Sequence, residues 1–219
     1  MNKELEEIIK IYATRSHKEF NQYLSDLSKN SLIAVLTDLL TLYMNDQNSS
    51  TLREFLTVKL AGYEHETDKL GYNGYKTIAY GKSIKCEAKP KNIKSEGGKK
   101  LNGGGNFTDY TFERLERDIR ENINMLISGF VDGKLIYVIE FPFRCETFVK
   151  KLREQLEKRF PSGDITGQYL RSASFSYKDY INCNNLKIIY LLPKKELEKF
   201  KGYIVRDFYK FLVEKADDK

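Results

Sequence analysis

The chain has 219 residues, of which 41% are hydrophobic, 13% aromatic and 31% charged, so it can bury a core without disulfide staples and is neither a disordered chain nor a collagen-like repeat. Thirty-seven Lys and Arg against 31 Asp and Glu leave a net charge of +6, a mild basic excess that admits a polyanionic partner without requiring one. Cys86, Cys145 and Cys183 form neither a metal-ligand pair nor an even disulfide scheme, Met1 to Glu7 is acidic where a secretory signal would be basic, and Leu32 to Met44 is too short to span a bilayer and holds Asp38. The expectation is a cytoplasmic protein with no membrane segment.

One domain is expected over 1–219, with a helical N-terminal part (1–50), a core (51–143), and closing helices and a hairpin (144–219). Helical spacing joins Leu5, Ile8, Ile9 and Tyr12, then Leu32, Val35, Leu36, Leu39 and Leu40, then Leu52, Phe55, Leu56 and Leu60, the last group preceded by the cap-like Asn48-Ser49-Ser50. Beyond Gly62 the period changes. Tyr75 to Tyr80 and Ser83 to Lys89 read as strands of a hairpin turning at Gly81-Lys82, and a two-residue loop there sets Lys76 opposite Glu87. Lys94 to Asn106, rich in Lys and Gly, is predicted to be irregular and mobile. A helix capped by Thr108 or Asp109 is predicted to carry Phe112, Leu115, Ile119, Ile123 and Leu126 and to stop at Gly129. Leu135 to Phe141 reads as a central strand reached by a crossover, and Phe148, Leu152 and Leu156 mark a helix ended by Pro161-Ser162-Gly163. Gln168 to Tyr177 and Leu186 to Leu192 read as a hairpin, and an amphipathic helix follows Pro193. The class is α/β, a mixed β-sheet flanked by helices.

Within the first hairpin, Lys85, Glu87 and Lys89 alternate with Ile84, Cys86 and Ala88, which predicts one apolar and one solvent-facing charged face. On that basis, substitution of Glu87 or Lys89 is expected to leave folding intact. Upstream, Glu64, Glu66 and Asp68 fall at alternate positions. Carboxylates from adjacent strands suit Mg²⁺, which takes hard oxygen ligands, and a neighbouring lysine suits the charge that develops in phosphodiester hydrolysis.

Asp68, Glu87-Ala88-Lys89 and the following Pro90-Lys91-Asn92 resemble the PD-(D/E)xK nucleases, and among them the type II restriction endonucleases. In that family an acidic residue precedes a strand bearing (D/E)-x-K, a helix follows and a further strand builds the centre of the sheet; residues 52–141 match this order. Thr67 stands where the family's proline falls. The resemblance implies a restriction-endonuclease-like fold with its catalytic core over 51–143, a metal held by Asp68 and Glu87, catalysis by Asp68, Glu87 and Lys89, and Mg²⁺ as cofactor with Mn²⁺ as a substitute. It implies duplex DNA as substrate and a homodimer that cuts both strands. Some members carry an additional acidic residue on the preceding helix, where this chain has Glu54. The hairpin register leaves Asn73 as an alternative to Asp68 for the upstream ligand, and the roles of Glu64 and Glu66 stay open.

Lys91, Lys94, Lys99 and Lys100 are the candidate DNA-phosphate contacts, the last three on the Lys/Gly segment. Ser172, Ser174 and Ser176 share one face of a strand and, with Arg171 and Lys178 near, are candidates to meet bases or phosphates. His17 and His65 lack a second ligand at metal spacing, and the tyrosines are spread as core and rim residues. A structure-selective nuclease of the same superfamily and a non-catalytic nucleic-acid-binding module are the rival readings.

Overall fold

The computed structural model describes residues 3–45, 51–67, 71–78, 81–163 and 167–217. Helical periodicity near the start yields α1 (Lys3–Thr14), α3 (Lys29–Asn45) and α4 (Thr51–Leu60), and between the first two lies α2 (His17–Ser25). That second helix buries no residue and is started by a reciprocal Ser16–Glu19 capping box, so the apolar pattern alone does not announce it. The rest of the chain runs β1 (Glu64–His65), β2 (Gly74–Thr77), β3 (Ser83–Ile93), β4 (Gly105–Tyr110), α5 (Phe112–Glu121), β5 (Asn124–Val131), β6 (Lys134–Pro142), α6 (Glu146–Arg159), β7 (Leu170–Phe175), β8 (Lys187–Leu191), α7 (Lys194–Glu198) and α8 (Arg206–Lys215). Among the described residues, no helix is long and apolar enough to cross a membrane.

Six strands form one sheet in the order β1-β2-β3-β5-β6-β8. β3 and β5 are parallel and the other pairs antiparallel, so the sheet is mixed and the class α/β. β5 corrects the sequence reading, which continued the preceding helix to Leu126 and stopped it at Gly129. The helix ends instead at Glu121, because Asn122 takes the left-handed conformation at φ 46°, and the apolar run that follows is a strand buried along nearly its whole length. Asp132 and Gly133, at φ 47° and 78°, turn β5 into β6 in the manner of an Asp-Gly hairpin. The crossover therefore delivers β5, and β6 follows it by a hairpin.

The C-terminal hairpin is also corrected. β7 pairs with β4 in a separate two-stranded sheet, while β8 joins the main sheet beside β6. The Lys94–Asn106 segment is not the mobile loop that its composition predicts. Leu101 is fully buried and bridges Ile204, donating to Tyr203 O at 2.8 Å and accepting from Val205 N at 2.9 Å. A Cβ on Gly104 would lie 2.1 Å from Phe175 O, and one on Gly105 would lie 2.9 Å from Lys89 Cβ. Glycine is there for close approach, which brings the β4–β7 pair against β3.

Both faces of β3 are covered. Cys86 and Ala88 pack with Val58, Ala61 and Tyr63 from α4 and the residues after it, whereas Ile93 joins the main core with Phe107, Phe148 and Phe208. The solvent-facing charged strand face is thereby overturned: β3 is an interior strand, and Glu87 is only 6% exposed. At the β2 end of the sheet, buried Glu140 of β6 accepts from Tyr63 Oη at 2.8 Å and Asn124 Nδ2 at 2.7 Å, with Lys76 Nζ 3.7 Å away. This satisfied cluster ties β2, β5 and β6 together where an unpaired carboxylate would be costly.

Candidate active site

The turn between β2 and β3 is longer than a two-residue loop, with Ile78 N donating to Lys82 O at 2.8 Å. Lys76 therefore pairs with Ile84 rather than Glu87, and Gly74 pairs with Cys86. This register brings Asn73 to Glu87: its backbone N–H donates to Cys86 O at 2.8 Å, and its Oδ1 accepts the Ala88 N–H at 2.7 Å. Asn73 thus straps the middle of the Glu-Ala-Lys segment. Asp68 lies outside the described residues.

On β3, Lys89 Nζ donates to Glu87 Oε1 at 2.5 Å and sits 4.6 Å from the centre of the Phe107 ring. Arg114 of α5 approaches the same Glu87 oxygen at 3.8 Å through Nη2, and Asp118, one turn further on, lies 3.8 Å from Arg114 Nε. Asp118 is 3% exposed. Burial pushes its carboxyl above the ordinary value, outweighing the opposing pull of Arg117 and Arg114. Glu87 therefore sits in a partly buried chain of alternating charge, hydrogen-bonded by Lys89 and with Arg114 at ion-pairing distance. Sequence reasoning missed Arg114 and Asp118. Their i, i+4 spacing on a strongly polar helix looks like an ordinary solvated pair, and only the packing of α5 over β3 separates the two cases.

Above β3 opens a cleft of about 570 Å³ whose lining includes Glu54, Lys89, Lys91, Asn102, Ser172 and Ser174. Glu54 enters from α4 and is held by His65 Nε2 at 3.1 Å; the His65 side chain is 8% exposed, so it supports Glu54 from within the fold. Lys91 is half-buried, with Asn102 Oδ1 at 3.3 Å and, among the described residues, no carboxylate within ion-pairing distance. Desolvation, with a smaller contribution from the like charge of Lys99, holds its ammonium below the usual lysine pKa. Lys91 is thus a partly desolvated cation at the cleft with no carboxylate partner among the described residues. Lys94, Lys99 and Lys100 are exposed, and of these Lys99 is the like charge felt by Lys91. Glu64 turns away, paired with Lys59 at 2.8 Å and largely exposed, while Glu66 joins β2 through its N–H to Asn73 O at 2.9 Å.

Of the sequence-predicted residues, Lys89 and Lys91 line this cleft together with Glu54, and Glu87 is joined to it through its hydrogen bond from Lys89. Among the described residues, no three His, Cys, Asp or Glu side chains are grouped to hold a metal. The donors nearest the cleft are hard carboxylate oxygens, Glu54 in its lining and Glu87 behind Lys89. Such a set fits Mg²⁺, which is commonly held by one or two carboxylates and completes its shell with water and substrate phosphate. No family model matches the chain, and no curated protein matches it.

Proposed function

We propose that the protein is a Mg²⁺-dependent endonuclease of the PD-(D/E)xK type, a restriction-endonuclease-like enzyme that hydrolyses phosphodiester bonds in duplex DNA, acting as a cytoplasmic homodimer. The observation that carries the reading is the Glu87–Lys89 pair on an interior strand, opening on a cleft that also holds the unpaired cation Lys91. Over α4 to β5 the strand bearing Glu87 and Lys89 is followed, after β4 of the separate sheet, by a helix and a further strand of the main sheet, and this succession supports the fold assignment because the family resemblance implies it. Glu87 and Asp68 would hold the metal, with Glu54 near. A bound Mg²⁺ neutralises phosphate charge and acidifies water. Lys89 then orients the attacking water and stabilises charge building on the phosphate, Lys91 binds a neighbouring phosphate, and Arg114 keeps Glu87 in place. Two copies related by a two-fold axis would present one such site to each strand.

The test is incubation of supercoiled plasmid with purified protein. Cutting with Mg²⁺ or Mn²⁺, none in EDTA, and poor cutting with Ca²⁺ is the expected pattern; full activity in EDTA refutes the metal mechanism. Preference for branched substrates would favour the structure-selective rival, and salt-sensitive binding without cleavage would favour the binding module.

A further inference from the structure

The β4–β7 pair stands apart from the main sheet and has two unlike faces. Phe107, Ala173 and Phe175 point inward and are at most 5% exposed. The outer face carries two directly opposed pairs, Asn106 with Ser174 and Thr108 with Ser172, and all four residues are exposed. Among the described residues, no hydrogen bond occupies any of these four side chains, although the backbone beneath them is fixed: Gln155 of α6 brackets Ser174, accepting from its N–H at 2.9 Å and donating to its carbonyl at 3.0 Å. Asn106, Ser172 and Ser174 line the same cleft as Lys89 and Lys91.

We infer that this ribbon face reads base edges in the major groove of duplex DNA, with Asn106, Ser172 and Ser174 as specificity-determining contacts; the inference rests on the reading of the cleft as a DNA site. The chemistry separates this face from a phosphate contact. Its side chains are short and uncharged, and each can both donate and accept, as base edges demand, whereas the cations suited to phosphate lie deeper in the cleft. The dimensions agree. A two-stranded ribbon fits a major groove about 12 Å wide, and same-face positions two residues apart are separated by about 6.8 Å, close to two base-pair steps of about 3.4 Å. One ribbon therefore covers about two to three base pairs. Asn106 is the side chain able to bond an adenine edge with both its amide atoms, so one position in each half-site is expected to prefer adenine.

The test is selection of binders from a random-sequence duplex library in Ca²⁺, with the retained DNA sequenced for the parent protein and for Asn106→Ala, Ser172→Ala and Ser174→Ala. The parent is expected to enrich a short motif. Asn106→Ala should lose preference at one adenine by about tenfold, and the serine variants should relax adjacent positions, with the salt dependence of binding unchanged. Identical motifs in parent and variants overturn the inference. So does a parent that enriches no motif; if that protein still cuts plasmid with Mg²⁺, the nuclease reading survives alone. A motif relaxed by the variants, in a protein that cuts nothing, keeps the ribbon as a base reader and overturns the nuclease.

Discussion

Glu87 and Lys89 are tied to folding as well as to chemistry, and a double-mutant cycle separates the two. Their side chains are 8% and 19% exposed with 2.5 Å between Oε1 and Nζ. Removing one partner of a buried pair typically costs about 3–5 kcal/mol, because the other charge is left unpaired. Here Arg114, 3.8 Å from the same Glu87 oxygen, retains part of the compensation, and Lys89 keeps some contact with solvent. Lys89→Met is therefore expected to destabilise the fold by about 1–3 kcal/mol. Glu87→Gln should fall toward the lower end of that range, since the ammonium keeps its place over the Phe107 ring. The double variant Glu87→Gln/Lys89→Met removes both charges and should return close to parental stability, a coupling equal to the sum of the two single losses, about 2–4 kcal/mol. Urea unfolding of the four proteins, with slopes compared to confirm a common denatured state, measures this. Single effects that add to within about 0.5 kcal/mol would refute the buried pair. All three variants should lack cleavage, so the double variant isolates chemistry from stability.

Gly104→Ala should lower stability by about 1–3 kcal/mol or more through the clash with Phe175 O, lowering Tm by roughly 2–4 °C per kcal/mol; an unchanged melting curve would restore the mobile loop. The folded-state pKa of Lys91 lies below its unfolded value, so stability should rise with pH between the two. A bound phosphate restores the charge, so DNA affinity should fall over the same window, and titrating Kd against pH at fixed salt should show that fall flattened in Lys91→Arg. Asp118 has the opposite sign: its folded pKa is raised, so the parent loses stability as pH climbs from the ordinary carboxylate range through the folded value. Asp118→Asn lacks that loss, and its advantage in urea unfolding should widen between acidic and neutral pH.

Local pattern was enough to place α1, α3, α4, α6 and β6 and to put Glu87 and Lys89 on one strand, because strand alternation and helical spacing are printed in the residues themselves. It failed where packing decides. Ile123 and Leu126 continue the helical spacing of α5 and so concealed β5, although the Asp132-Gly133 turn was a readable sign of a hairpin. Gly103 to Gly105 look like a flexible stretch, yet Gly104 and Gly105 exist for close approach to Phe175 and Lys89, neither of which is near in sequence. The register of β2 on β3 depended on a turn length that Gly81-Lys82 alone does not set. Burial of Glu87 followed from α5 and Arg114 closing over a strand whose alternation resembles that of a solvent-facing one.

The proposed nuclease depends on Lys89 and Glu87 acting on a scissile phosphate. The most direct measurement is the single-turnover rate of Mg²⁺-dependent duplex cleavage by the parent and by Lys89→Met, at protein concentrations that saturate the DNA and at a temperature where circular dichroism shows both folded. A loss of about 10²–10³-fold or more is expected in the variant, with DNA still bound. Equal rates in the two proteins would contradict it.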